Sequence, residues 1–405
     1  MPGLGRRPRI LLALLGQDQE RDEAGEDRHG HGHGCGEERR AAAPPGGRVL
    51  GPGVVSSSAS LTSDTVAAMT TPDPARPARP AVRTAAQLGE DGVIALATSG
   101  VRPDLRVPVG PGDDAAVVVA PDGRVVVSSD ALVEGRHFRF DLTTPEHVGR
   151  RAIAQNAADI AAMGAVCTGF TVTLGCPAGT GEDVIAGIAR GITRGAADAG
   201  GAIAGGDVVR TEQVLLAVTV LGDLQGRAPV LLSGARPGDV VAVCGTLGHS
   251  AAGLAVLLAG LPGFEGLVET HRCPVPPLVA GPQAAVAGAT ALTDVSDGLL
   301  RDARAVARAS GIVIELDGAR LAPDTDLRAC AAALGADADQ WVRTGGEDHA
   351  LLATFPAGAE LPAGWRAIGT AAGPGALPVG TVTVDGETGP EVGGWNTFDE
   401  SGEGR

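Results

Sequence analysis

Four times in this chain a short apolar run adjoins an aspartate set among glycine, serine or a second aspartate. Gly110-Pro-Gly-Asp-Asp-Ala115 leads into Ala116, Val117, Val118 and Val119. Val125-Val126-Val127 leads into Ser128-Ser129-Asp130, and Gly201-Ala-Ile-Ala204 into Gly205-Gly206-Asp207. Ala291-Leu292 leads into Thr293-Asp294-Val295-Ser296-Asp297-Gly298. Runs of this length beside turn residues read as strands with a loop at one end. One strand ending in Asp is ordinary, because Asp is common in turns. Four of them predict a fold in which separate strands bring Asp113, Asp114, Asp130, Asp207, Asp294 and Asp297 to one acidic site. Oxygen ligands of this kind collect hard cations.

The 405 residues suffice for two domains, each with its own core. The hydrophobic fraction of 44% is Ala, Val and Leu, with six Phe, three Trp and no Tyr, so a close-packed core of small side chains is expected. Against 32 basic residues stand 48 acidic ones, a formal charge of -16. That balance disfavours nucleic acid and anionic membranes as partners. An acidic protein can still take an anionic substrate when metal ions stand between the two. The six cysteines show no C-x-x-C spacing and read as free thiols of a reducing compartment. No run approaches the ~18 apolar residues of a membrane span. Arg6-Arg7-Pro8-Arg9 before Ile10–Leu15 imitates a signal peptide but gives way at once to Gln17-Asp-Gln-Glu20, so the expected location is the cytoplasm.

Residues 1–84, rich in Gly, Pro, Ser, Arg and acids without apolar period, are expected to be a disordered extension. Within them His29, His31, His33 and Cys35 alternate with glycine and read as solvated filler, and Met69 is a candidate initiator. A short helix is expected at 85–97, strands at 115–119 and 125–129, and a strong helix from Pro145 to Met163. On that helix Val148, Ala152, Asn156 and Asp159 share a face, so a polar pair lies on an apolar stripe. Gly222–Gly238 is a Gly/Pro-rich crossover, which separates an expected domain 85–224 from a second, 225–400. Ser296 or Asp297 is expected to cap the helix that Leu299 begins. Strands alternating with helices in both halves argue α/β or α+β.

A Walker A loop is absent and the paired glycines do not make G-x-G-x-x-G. What remains is the acidic set, to which Asp159 belongs. Several Mg²⁺ ions held there would neutralise the carboxylates and grip triphosphate oxygens, and phosphoryl transfer needs chiefly such positioning and charge neutralisation. Singly, each Asp also suits an Asx turn or a helix cap. Their recurrence beside glycines that admit a phosphate favours the metal reading.

Residues 85–398 resemble bacterial thiamine-monophosphate kinase, of the aminoimidazole ribonucleotide synthetase superfamily. The motifs are Gly110–Ala116, Ser129–Phe138, Asn156–Ala165, Gly205-Gly206-Asp207, Ser233–Asp239, Asp294–Leu299, Gly345-Gly-Glu-Asp348 and Gly394-Trp-Asn-Thr-Phe398. The resemblance implies a two-domain fold whose N-terminal sheet closes a barrel across a homodimer. It implies ATP and thiamine monophosphate as substrates. Mg²⁺ would be held by Asp114, Ser128, Ser129, Asp130, Asp159, Asp207, Asp294 and Asp297, and ATP by Gly206, Asp207 and Ser296. His137, Glu347 and Trp395 would meet thiamine monophosphate: an indole face suits the thiazolium cation and a carboxylate suits the aminopyrimidine. Leu232 stands where relatives often carry an arginine, with Arg227 and Arg236 as substitutes. The acceptor, a phosphate monoester with a second pKa near ~6, is largely a dianion at pH 7 and needs no general base. That fits the lack of an obvious His–carboxylate dyad. Other readings are a selenophosphate synthetase or aminoimidazole ribonucleotide synthetase activity, or a sensor that binds without turnover.

Overall fold

The structure is a computed structural model that describes residues 82–111 and 116–388. Asp113, Asp114, Trp395, Phe398, the His29–Cys35 tract and Met69 lie outside these residues, as do all but three positions of the expected extension.

In chain order the first elements are α1 (Ala85–Thr98), β1 (Val126–Val133), α2 (Pro145–Ala162), β2 (Val166–Cys176), α3 (Glu182–Asp198), β3 (Ala202–Arg210) and β4 (Leu215–Asp223). Then come β5 (Val240–Cys244), α4 (His249–Ala259), α5 (Glu265–Arg272), α6 (Ala280–Val286), β6 (Ala291–Val295) and α7 (Leu299–Ser310). The last are β7 (Val313–Leu316), α8 (Thr325–Leu334), α9 (Ala338–Thr344), β8 (Ala350–Phe355), β9 (Trp365–Ala372), β10 (Val382–Val384) and β11 (Glu387–Thr388). The first four strands form one sheet in the order β1-β4-β2-β3, with only β2–β3 parallel. The other seven form a second sheet, β11-β10-β7-β9-β5-β8-β6, in which only β7–β10 is parallel. Among the described residues no helix is long and apolar enough to cross a membrane.

Helix α2 determines where the site lies. Thr144 caps it by accepting the His147 N–H, and Pro145 occupies its first turn. Ile153, Ala157 and Ile160 enter the core of the four-stranded sheet with Phe170, Ile188 and Val218. Ala161 and Ala162 enter a separate core with Leu292, Leu351 and Phe355 of the seven-stranded sheet. One helix therefore lies between the two sheets and joins both cores. Its partner α3 approaches very closely, because a Cβ on Gly191 would collide with the Glu146 carbonyl. That contact is how a chain poor in aromatics packs tightly, through backbone approach at glycine. The described cysteines Cys167, Cys176, Cys244, Cys273 and Cys330 are free and buried.

Two local expectations change. Residues 116–119 form no strand, only a bridge from Val117 to Val109. The aspartates also do not sit at strand ends: Asp130, Asp207 and Asp294 lie inside β1, β3 and β6. Apolar length marks where a strand begins, but backbone pairing with a neighbour carries it on through polar residues, as Asp130 opposite Val218 shows.

Candidate active site

Carboxylates from four stretches meet where α2 passes between the sheets. On β1, Ser128 donates its hydroxyl to Asp159 of α2 at 2.6 Å, and the Asp130 N–H donates to the Asn156 side-chain oxygen at 3.0 Å. Asn156 is fully buried and its amide returns to the Ala152 carbonyl at 2.8 Å. The polar pair on the apolar stripe thus faces β1. From the other sheet come Asp294 on β6 and Asp297 in the following loop.

The mutual influence of these groups is visible in their acidities. Burial lifts Asp159 to about 6, with Asp294 and Asp130 adding to the shift against the Ser128 hydrogen bond. Burial likewise raises Asp130, helped by Asp294 and Glu347 and opposed by His349 and His137. Asp297 rises through burial, although Arg301 at 3.3 Å opposes it. Carboxylates that raise one another's pKa are a donor set short of positive charge, and hard oxygen donors suit Mg²⁺. Among the described residues no three His, Cys, Asp or Glu side chains stand close enough to form a ready-made metal cage.

The loop 345–349 supplies the other half of the site. Glu347 and His349 both adopt left-handed backbone, φ 68° and 52°, a conformation that costs about 1–3 kcal/mol at each such residue. Their N–H groups donate to the carbonyls of Ser296 (2.8 Å) and Val295 (3.1 Å). The loop is thereby sewn onto the Asp294–Asp297 stretch. Glu347 receives Arg151 Nη2 at 2.6 Å. Burial opposes its ionisation, yet Arg151, His349 and His271 together bring it down to about 2. His349 Nδ1 lies 3.1 Å from Asp294, and Nε2 lies 3.9 Å from Glu347. This is a His–carboxylate pair, which corrects the expectation of none; its members are 55 residues apart, so no local spacing marks it. Burial disfavours a charge on this ring, but the Asp294 hydrogen bond and the Asp294 and Glu347 charges outweigh it and raise its pKa. His137 stands near Glu347, Arg151 and Asp130; burial lowers its pKa, and its Nδ1 accepts the Val133 N–H at 3.0 Å.

Other expected residues are placed differently. Ser129 donates to the Val218 carbonyl at 2.9 Å, within the sheet. Asp207 lies in β3 in register with Thr173, Ala217 and Ala131 rather than with Asp130. It is three strands from β1, about 14 Å at ordinary strand spacing, and the structure does not bring it to the other carboxylates. It borders instead a cavity of about 580 Å³ lined also by Gly110, Pro111, Gly206, Ile94 and Ile192. Gly206 has a structural reason to be glycine, since a Cβ there would collide with the Val172 carbonyl. Leu232 is 40% exposed. Arg227 is held by Gln225 and the Gly164 carbonyl.

The expected cap of α7 is corrected too. Its N-cap is Gly298, with no side-chain cap. Asp302, one turn into the helix, instead accepts the N–H groups of Asp297 and Gly298, both at 3.1 Å. Sequence reasoning missed Asp302, although an acid in the first turn after a tight loop is a recognisable partner for orphan N–H groups. Burial and the charges of Asp294 and Asp297 push it up to about 7, against those two hydrogen bonds. An acid raised in the folded state gives stability that is complete below its unfolded pKa near 4 and lost as pH rises through about 7. Asp302→Asn keeps an acceptor without the charge. In metal-free buffer at pH 8 it is expected to stabilise the protein by about 1–3 kcal/mol, with no gain at pH 4. Denaturant melts at the two pH values decide it; an equal effect at both removes the assignment.

Residues 112–224 match the family described as AIR synthase related protein, N-terminal domain. A thiamine-monophosphate kinase from Mycobacterium tuberculosis is 50% identical over 319 residues, 78% of this chain and 94% of the relative. The chain belongs to the thiamine-monophosphate kinase family. A second such kinase, from Corynebacterium glutamicum, is 39% identical over 78% of this chain and 95% of its own length. The solved structure described as AaThiL complexed with AMPPCP and TMP has a TM-score of 0.63 at 29% identity, covering 77% of this chain and 97% of that one. The two-sheet α/β architecture is that of the kinase family.

Proposed function

We propose that this protein transfers the terminal phosphoryl group of ATP to thiamine monophosphate, giving thiamine diphosphate and ADP. The observation that carries the reading is the meeting of Asp130, Asp159, Asp294 and Asp297 beside Glu347 in a chain of this family. Ser128, Asp130, Asp159, Asp294 and Asp297 would hold Mg²⁺, as would Asp114. When bound there, the ions supply charge neutralisation between two polyanions that an acidic cleft would otherwise keep apart. Asp207, Gly206 and Ser296 would serve ATP; the apolar walls of the cavity beside Asp207 suit a base. Glu347, held ionised, accepts hydrogen bonds from the aminopyrimidine, with His137 and Trp395 against the same substrate. The acceptor phosphate arrives as a dianion, so no side chain has to remove a proton.

We further read residues 85–224 and 225–400 as two domains of a cytoplasmic homodimer. Val125 and Val127, at and beside the start of the edge strand β1, are 48% and 63% exposed, and pairing of that sheet with a second copy would cover them. A monomer in sedimentation at micromolar concentration removes the dimer. For the activity, purified protein is incubated with ATP, Mg²⁺ and thiamine monophosphate. ADP and thiamine diphosphate should appear in equal amounts. No product above a no-enzyme blank favours a sensor, and ADP formed only with another acceptor overturns the substrate.

A further inference from the structure

Arg151 lies on α2, two turns before Asp159, and belongs to none of the roles above. Its side chain is 6% exposed. Nη2 donates to Glu347 at 2.6 Å, Nη1 reaches the His271 carbonyl at 3.4 Å, and Nε is buried without a hydrogen-bond partner. A buried donor left without an acceptor calls for an explanation. Here one arm of the guanidinium holds the Glu347 carboxylate and the other reaches the His271 carbonyl, and α2 is the helix that enters both cores. Glu347 itself sits on left-handed backbone, which by itself does not fix where the side chain points.

We propose that Arg151 is a positioning residue for thiamine monophosphate: from the helix that carries Asp159, it holds the Glu347 carboxylate at a fixed distance from the acidic cluster. The proposal rests on the reading of Glu347 as the carboxylate that meets this substrate. Bidentate-capable guanidinium suits that task better than an ammonium, because its donors are fixed relative to one another. The charged groups around Glu347 are Arg151 of α2, His271 of α5, His349, Asp130 of β1, His137 and Asp297. Of these, Arg151 is a permanent cation in direct contact, so its removal leaves only imidazoles to offset the Asp130 and Asp297 carboxylates beside Glu347. The carboxylate would then take up a proton at mildly acid pH.

The test is steady-state kinetics of Arg151→Met, Arg151→Lys, Glu347→Gln and the Met/Gln double variant between about pH 5.5 and 8. Arg151→Met should raise KM for thiamine monophosphate about tenfold, with kcat and KM for ATP within about threefold of wild type. The ratio of its KM to the wild-type KM should grow as pH falls; taking the ratio removes the titration of the substrate's own phosphate. Arg151→Lys keeps the charge, so its smaller increase should not vary with pH. In the Glu347→Gln background Arg151→Met should add nothing. A wild-type KM in Arg151→Met, or multiplying effects in the double variant, overturns the proposal while the Glu347 reading stands. An unchanged KM in Glu347→Gln removes that reading and the proposal with it. If thermal melts show that Arg151→Met does not fold, the cycle is run with Arg151→Lys, whose KM increase must vanish in the Gln background or the proposal fails.

Discussion

Asp130→Asn is expected to lower turnover about a thousandfold, the loss of roughly 4 kcal/mol of transition-state stabilisation, while the protein stays folded. The structural work of residue 130 is done by its backbone, paired with Val218 and tied to Asn156 through the N–H. Its carboxylate makes the fold no easier: burial and the neighbouring Asp294 and Glu347 charges raise its pKa, which is a cost to the ionised form. Asn removes that cost, so the melting temperature in metal-free buffer should hold or rise. What disappears is one negative oxygen donor among the few that a divalent ion could use. ADP release is measured across a Mg²⁺ titration. A wild-type rate at every Mg²⁺ concentration sinks the role given to Asp130. A rate restored at high Mg²⁺ limits that role to affinity.

How far the site could be read from residues alone follows from which contacts are local. Asp130, Asp159, Asp294 and Asp297 were legible because each stands next to an apolar run or on a helical stripe, and in the fold Asp294 bears electrostatically on each of the other three. The polar pair Asn156 and Asp159 was legible for the same reason. Arg151 was within reach as well, since it falls one turn after Val148 on the stripe, but a second arginine beside Arg150 reads as a solvated charge. His349 had no such mark; its partners are 55 residues away on β6 and, through Glu347, on α2. Asp207 shows the limit of such a reading. Its Gly-Gly-Asp resembles the other acidic turns, yet strand register sets it three strands away, and register follows from pairing rather than from the run itself. The seven-stranded sheet was only partly visible, with β9, β10 and β11 unread, because Trp365–Ala372 lacks a clean alternation and the last two strands are three and two residues long.

Asp348→Ala should cost about 3–5 kcal/mol of stability, and the loss should reach the site through a helix end rather than through the substrate. Asp348 is 3% exposed and accepts four hydrogen bonds, from Thr246 Oγ1 (3.0 Å) and the N–H groups of Gly248 (2.8 Å), His249 (3.1 Å) and Ser250 (3.3 Å). Three of these are orphan donors at the start of α4, whose N-cap Gly248 has no side chain to serve them. Burial raises the Asp348 pKa, and the bonds from Thr246, Ser250 and Gly248 oppose that rise. Alanine leaves these donors buried without an acceptor, at about 1–3 kcal/mol for each group fully stranded, and removes favourable charge from a helix N-terminus. Asparagine keeps one acceptor oxygen but turns an N–H₂ toward donors, so Asp348→Asn should fall between alanine and wild type. Because Glu347 and His349 flank this anchor on left-handed backbone, a loosened loop should relax both. The expected signature is a large drop in unfolding midpoint together with a raised KM for thiamine monophosphate, and little change in KM for ATP. Wild-type stability in the alanine variant would mean that the four bonds are replaced by solvent at no cost, and the anchoring role of Asp348 would fall.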